Sequence, residues 1–90
     1  MSAEFVTALS LGRQHLRHER WDEASTQLLR AVQIRPEAWA VRGLLGATLL
    51  KAGCPEDAIR VLTQTLSEQP DDLPARLHLG MALLETGQHA

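Results

Sequence analysis

The chain has a single cysteine, Cys54, among its 90 residues. A lone thiol cannot close an internal disulfide, which excludes the disulfide-stapled secreted scaffolds and every zinc cluster made of cysteines alone. A reducing, cytoplasmic compartment is the expectation. Blocks of like charge are also missing. Nine basic against eleven acidic residues give a net charge of −2, and without a run of five or six like charges there is no polybasic footprint for nucleic acid or anionic lipid. Eight of the nine basic residues are arginine, which we read as a bias of composition and not as phosphate recognition. No uncharged stretch exceeds the eight residues of Gly43 to Leu50, against the roughly 20 that cross a bilayer, so no membrane span is expected. The start, Met1-Ser2-Ala3-Glu4-Phe5, lacks the basic region of a signal peptide. Chemistry-bearing motifs are absent as well. There is no Gly-rich phosphate loop, no Gly-x-Ser-x-Gly elbow and no paired carboxylates. His15 and His18 lie beside Glu19, but no third ligand has comparable spacing. The sequence therefore predicts no catalysis, no cofactor and no metal.

What is present is the balance of a globular chain, 44% hydrophobic and 22% charged. Ninety residues make one small domain, and a chain of this size buries only about 60% of its unfolded surface, so its core is economical or completed by a partner.

The organising feature is a repeat. Gly12, Gly46 and Gly80 stand 34 residues apart, each after a leucine: Leu11, Leu45 and Leu79. Phe5, Trp39 and Leu73 keep the same register, as do Leu16, Leu50 and Leu84, Ala24 and Ala58, Leu28 and Leu62, and Pro36 and Pro70. Each period reads as two helices. Apolar residues from Phe5 to Leu16 recur at three- and four-residue steps, polar residues from Arg17 to Asp22 interrupt them, and a second run from Ala24 to Ile34 stops before Pro36. The second unit runs from Trp39 to Lys51, turns at Gly53-Cys54-Pro55, and continues from Glu56 to near Glu68, with its stop at Pro70. Pro55 suits a first helical position, and Asp71 or Asp72 can cap a helix beginning near Leu73.

Glycine inside a helix costs about 1 kcal/mol relative to alanine, so something must offset it. Close approach is the expected reason: Gly12 faces the second helix of its own hairpin, with Ala24 as the matching small surface, and Gly46 pairs with Ala58 in the same way.

The 34-residue period, the Leu-Gly pair, the alanine in mid-second helix and the closing proline resemble the tetratricopeptide repeat (TPR) family. The resemblance covers one unit at about 5–38, a second at about 39–72, and the first helix of a third at about 73–87, within one domain of residues 1–90. It implies an all-α fold, a right-handed superhelix of five antiparallel helices. Gln88-His89-Ala90 aligns with the start of a further second helix, which reads as a chain cut from a longer array, with the odd fifth helix as a natural cap as the alternative. There are departures. The family's tryptophan place holds Ala8, Arg42 and Arg76, and its tyrosine place holds His15, Leu49 and Leu83. Phe5, Trp39 and Leu73 open each first helix instead and are expected to pack on the preceding unit. Glu68 stands where the first unit has Ile34, and Glu19 where later units have Gly53 and Gly87.

In TPR proteins the first helices line a concave groove. The resemblance places Val6, Leu9, Arg13, Leu16 and Arg17 on that surface from the first unit. From the second it places Ala40, Gly43, Leu44, Ala47, Leu50 and Lys51, and from the third Leu77, His78, Met81, Leu84 and Glu85. Carboxylate-clamp members of the family use lysine, asparagine and arginine where this chain has Leu9, Arg13, Leu44, Pro74 and His78, so clamp chemistry is not expected. Leu16, Leu50 and Leu84 read as core, while Leu9, Leu44, Leu77 and Met81 read equally as core or binding surface. Arg13 and Arg17 read as a solvated helix end, with anchoring of an acidic partner group as the alternative, and Cys54 as an exposed thiol. The expected function is a protein-interaction scaffold taking a partner peptide or helix in an apolar groove, without activity of its own. Two alternatives stand beside it: an accessory domain of a larger enzyme, such as a bacterial transferase, and a self-assembly module that forms a homodimer through Leu77, Met81 or Leu84.

Overall fold

A computed structural model describes residues 2–87. Five helices follow one another: α1 (Ala3–Arg17), α2 (Trp21–Ile34), α3 (Trp39–Lys51), α4 (Pro55–Glu68) and α5 (Leu73–Thr86). They pack in chain order, each on the next, and α3 also touches α5. The result is an all-α helical repeat of 41 × 27 × 16 Å. The last-named segment of the repeat alignment, Gln88 to Ala90, lies outside the described residues.

The helix ends follow local chemistry. The Ser2 hydroxyl accepts from the Phe5 amide at 3.4 Å, and the Asp72 carboxylate accepts from the Ala75 amide at 3.0 Å, each satisfying an otherwise orphaned donor. Pro55 opens α4 as its first residue, where its missing N–H costs nothing. The α1 and α3 ends are closed alike. Arg20 donates to the His15 carbonyl and Cys54 to the Leu49 carbonyl, both at 2.9 Å, through a left-handed residue that is Gly53 (φ 79°) in one case and Glu19 (φ 55°) in the other. Cys54 is half-buried at the start of α4 and not exposed as expected. A β-carbon in the left-handed region is strained. Glu19→Gly is therefore expected to stabilise the domain by about 1 kcal/mol, raising the melting temperature by roughly 4–8 °C. Unchanged or earlier melting in a calorimetric scan would show that the turn carries no strain.

Two small cores run along the layer. Phe5, Ala8, Leu28, Ala31, Val41 and Leu45 form the first. Ala58, Leu62, Ala75 and Ala82 form the second, and half-buried Leu49 packs on both. Thr48 and Thr65 are buried polar side chains whose hydroxyls donate to the Leu44 and Val61 carbonyls one turn back, at 2.7 and 2.8 Å, so neither is left unsatisfied.

The glycines approach a neighbouring helix, but not the expected residue. An ideal β-carbon at Gly12 would lie 2.8 Å from Leu28 Cδ2, and one at Gly46 would lie 2.5 Å from Leu62 Cδ2. The surface laid into each glycine is thus a leucine, one turn beyond the alanine expected to face it; Ala24 contributes only its carbonyl oxygen, 3.6 Å from that β-carbon position at Gly12. The physical reason is volume: Ala24 and Ala58 are fully buried themselves, while the branched end of the leucine fills the hollow.

Three further expectations change. Phe5 is buried in the core of its own and the following hairpin, with the Arg35 guanidinium 4.6 Å from its ring centre. Leu73 packs on no preceding unit and is 69% exposed. Leu84, read as core with Leu16 and Leu50, is 67% exposed, whereas those two are half-buried. The register places all three alike, but only Leu16 and Leu50 have a following helix laid against them.

Candidate partner-binding groove

The second unit supplies one side of a groove because its first helix is built from small residues there. Ala40, Gly43, Leu44 and Ala47 of α3 sit at three- and four-residue steps on one side. With Trp39 they form one wall of a 390 Å³ groove whose other wall is Asp72, Pro74 and His78 at the start of α5. A second depression of 120 Å³ continues along the same helix. It shares Leu44 and Ala47 with the first and adds Leu16, Trp21, Thr48 and Lys51. Thirteen residues of α3 give this surface a length of about 20 Å.

The groove is apolar along its floor and polar at its ends. His78 Nδ1 lies 2.7 Å from the Pro74 carbonyl oxygen, to which a protonated Nδ1 donates. Asp72 sits at the same end, its carboxylate turned to cap α5. At the other end the Lys51 ammonium lies 5.5 Å from the Trp21 ring centre, within reach of a cation–π attraction. The arrangement can hold an elongated apolar segment by contact and sense its direction by charge, an acid being favoured near Lys51 and a base near Asp72.

The structure brings together Ala40, Gly43, Leu44, Ala47 and His78 from the expected groove residues. Leu9 is half-buried against the first core. Arg13 and Arg17 are exposed and line neither depression. Leu77 and Met81 are 64% and 48% exposed and lie outside the cleft, on the side of α5 away from the helices it packs on. Of the repeat-signature positions, Gly12, Ala24, Leu45, Gly46 and Ala58 are buried and Leu79 half-buried, while Leu11, Pro36, Pro70 and Gly80 are exposed.

Two features escaped sequence reasoning. A 440 Å³ hollow lies between α2 and α4, lined by Ser25, Leu29, Leu49 and Val61 and edged by the Asp57–Arg60 ion pair. No periodic signal marks it. The other is Arg42, only 8% exposed: it donates to the Glu68 carboxylate at 3.2 Å and lies 5.1 Å from the Trp39 ring centre. Its signal was visible, because Arg42 and Glu68 are two departures from the repeat pattern within one unit. Among the described residues no cluster of three His, Cys, Asp or Glu could hold a metal ion, and no helix is long and apolar enough to cross a membrane.

Comparison with known proteins gives two family-model matches, both described as tetratricopeptide repeat, over residues 9–53 and 49–90. No curated protein matches the chain.

Proposed function

The chain belongs to the tetratricopeptide repeat family, whose repeats generally mediate protein–protein interaction, and from that premise we propose that it binds a helical or extended segment of a partner protein along the concave face of α3. The observation that carries this reading is the continuous apolar surface of Gly43, Leu44 and Ala47 between ends of opposite charge, Asp72 and Lys51. Domains of this family are typically non-catalytic scaffolds, and the proposed role is recruitment in the cytoplasm, without an activity of the chain's own. A bound segment places two or three aliphatic or aromatic side chains on the floor.

Gly43 offers the test, because a β-carbon there would meet nothing within 4 Å. Gly43→Glu therefore leaves the fold intact while filling the groove with a charge. Peptides selected from a random 16-residue display library on the parent are expected to carry apolar residues at helical or alternating spacing. They are expected to bind Gly43→Glu at least tenfold more weakly, with its melting temperature kept. Equal binding to both proteins would place the interaction elsewhere.

A further inference from the structure

The two depressions beside α3 differ in size and in the charge at their outer ends. The larger, of 390 Å³, opens between α3 and the start of α5, where Asp72 lines it and the exposed Asp71 precedes it. The smaller, of 120 Å³, is bounded by Leu16, Trp21, Leu44 and Lys51 and takes no residue from α5. Lys51 and Arg17 stand at that end, both exposed in the last turns of α3 and α1 and 34 residues apart in the repeat register. Two charges on α5 fall elsewhere. Arg76 is two residues from both Pro74 and His78 and so on another side of the helix, while Glu85 lies beyond His78 on a helix that the smaller depression does not touch. Leu44 and Ala47 are common to both depressions, so the two centres lie about 7 Å apart along α3.

We propose that the partner segment is an amphipathic helix lying antiparallel to α3, with an acid in its first turn beside Lys51 and Arg17 and a base in its last turn beside Asp71 and Asp72. This rests on the groove reading above and adds the occupant's form and direction. The spacing admits two apolar anchors, one in each depression, four residues apart on a helix at about 6 Å. An extended segment meets a similar spacing with residues two apart, so the charges decide between them. A helix is stabilised by acids in its first turn and bases in its last, because its ends carry partial charges of the opposite sign. Acid and base in that order are the side chains that the two ends of the groove attract. In the antiparallel direction the dipole of the segment also opposes that of α3, whereas a parallel helix would need its charges reversed and would align the two dipoles. Exposed charges set direction more than affinity, so the apolar anchors hold the segment and the charges orient it.

The chain's two tryptophans report direction, because Trp39 lines the larger depression and Trp21 the smaller. The probes are the 16-residue library peptides whose binding Gly43→Glu weakens. In Trp21→Phe and Trp39→Phe chains, each left with one tryptophan, a nitroxide on the peptide N-terminus is expected to quench Trp21 more than Trp39. A nitroxide on the C-terminus is expected to do the reverse. Bound peptides are expected to gain helical circular dichroism and to carry an acid before their apolar pair and a base after it. Lys51→Glu is expected to bind them about three- to tenfold more weakly, and a peptide with that acid changed to lysine is expected to recover the loss. Asp72→Asn keeps a capping side chain for α5 and is expected to weaken only peptides that carry the base. Quenching equal at both tryptophans or in the opposite order, binding without helix, or no effect of Lys51→Glu would overturn the proposal and leave the groove standing. Peptides indifferent to Gly43→Glu would remove the groove, and the proposal with it.

Discussion

Gly46→Ala is expected to lower the melting temperature although alanine is the better helix former. In an open helix the exchange would gain about 1 kcal/mol. At position 46 the new methyl would stand 2.5 Å from Leu62 Cδ2 and 2.7 Å from Leu62 Cγ. Leu62 cannot step aside, because it is fully buried among Ala58, Ala75 and Ala82. Overpacking of this kind costs about 1–3 kcal/mol, and Gly46→Leu costs more. Gly80→Ala supplies the control in the same register: with nothing within 4 Å, it is expected to stabilise the monomer by up to about 1 kcal/mol. The partner residue can be identified by a double-mutant cycle. Leu62→Ala alone is expected to cost about 2–5 kcal/mol. Combined with Gly46→Ala it should cost less than the sum, because the added methyl enters the cavity, with a coupling of about 0.5–3 kcal/mol. Chemical denaturation of the four proteins at low micromolar concentration measures each term. A Gly46→Ala protein as stable as Gly80→Ala, or strict additivity with Leu62→Ala, would refute the close approach.

The same glycines show what could be read from the sequence and what could not. A glycine recurring inside a helix has a conformational cost that only tertiary contact offsets, so the period announced the paired helices before any coordinates. Prolines at 36, 55 and 70 and the aspartates before Leu73 marked the helix ends for equally local reasons. The identity of the opposing residue was not legible in the same way. Leu28 and Leu62 share the register too, but a leucine at helical spacing looks the same whether it fills a glycine hollow or lines a core. The groove was half legible: Ala40, Gly43, Leu44 and Ala47 face it because α3 has neighbours on both sides. Leu77, Met81 and Leu84 repeat the pattern of the earlier first helices, yet their surroundings depend on what lies beyond α5, and no pattern within the chain records that. Glu19 held its turn by backbone geometry alone, against its own preference, and its only sequence signal was alignment with Gly53 and Gly87.

Replacing Arg42 and Glu68 together is expected to be nearly neutral, whereas replacing Glu68 alone is expected to be costly. The first repeat meets the same two positions with Ala8 and Ile34, so the fold does not require charge there. In the second repeat the Arg42 side chain is 9% exposed and that of Glu68 47% exposed, with 3.2 Å between them. Among the described residues Arg42 Nε has no partner, and Glu68 is the one carboxylate that compensates a guanidinium largely removed from water, helped by the face of Trp39. Glu68→Ile takes that compensation away and leaves an unpaired buried charge, for which about 2–3 kcal/mol is expected. That is below the roughly 3–5 kcal/mol of a fully buried pair, because water reaches the Glu68 side. Arg42→Met with Glu68→Ile removes both charges and keeps the volume, and is expected within about 1 kcal/mol of the parent or above it. The double variant separates the two explanations for any loss. A defect due to the unpaired guanidinium leaves the double variant intact at every ionic strength, whereas a packing defect from isoleucine persists in the double variant. Equal destabilisation of Glu68→Ile and the double variant in urea would show that the pair contributes shape and not charge.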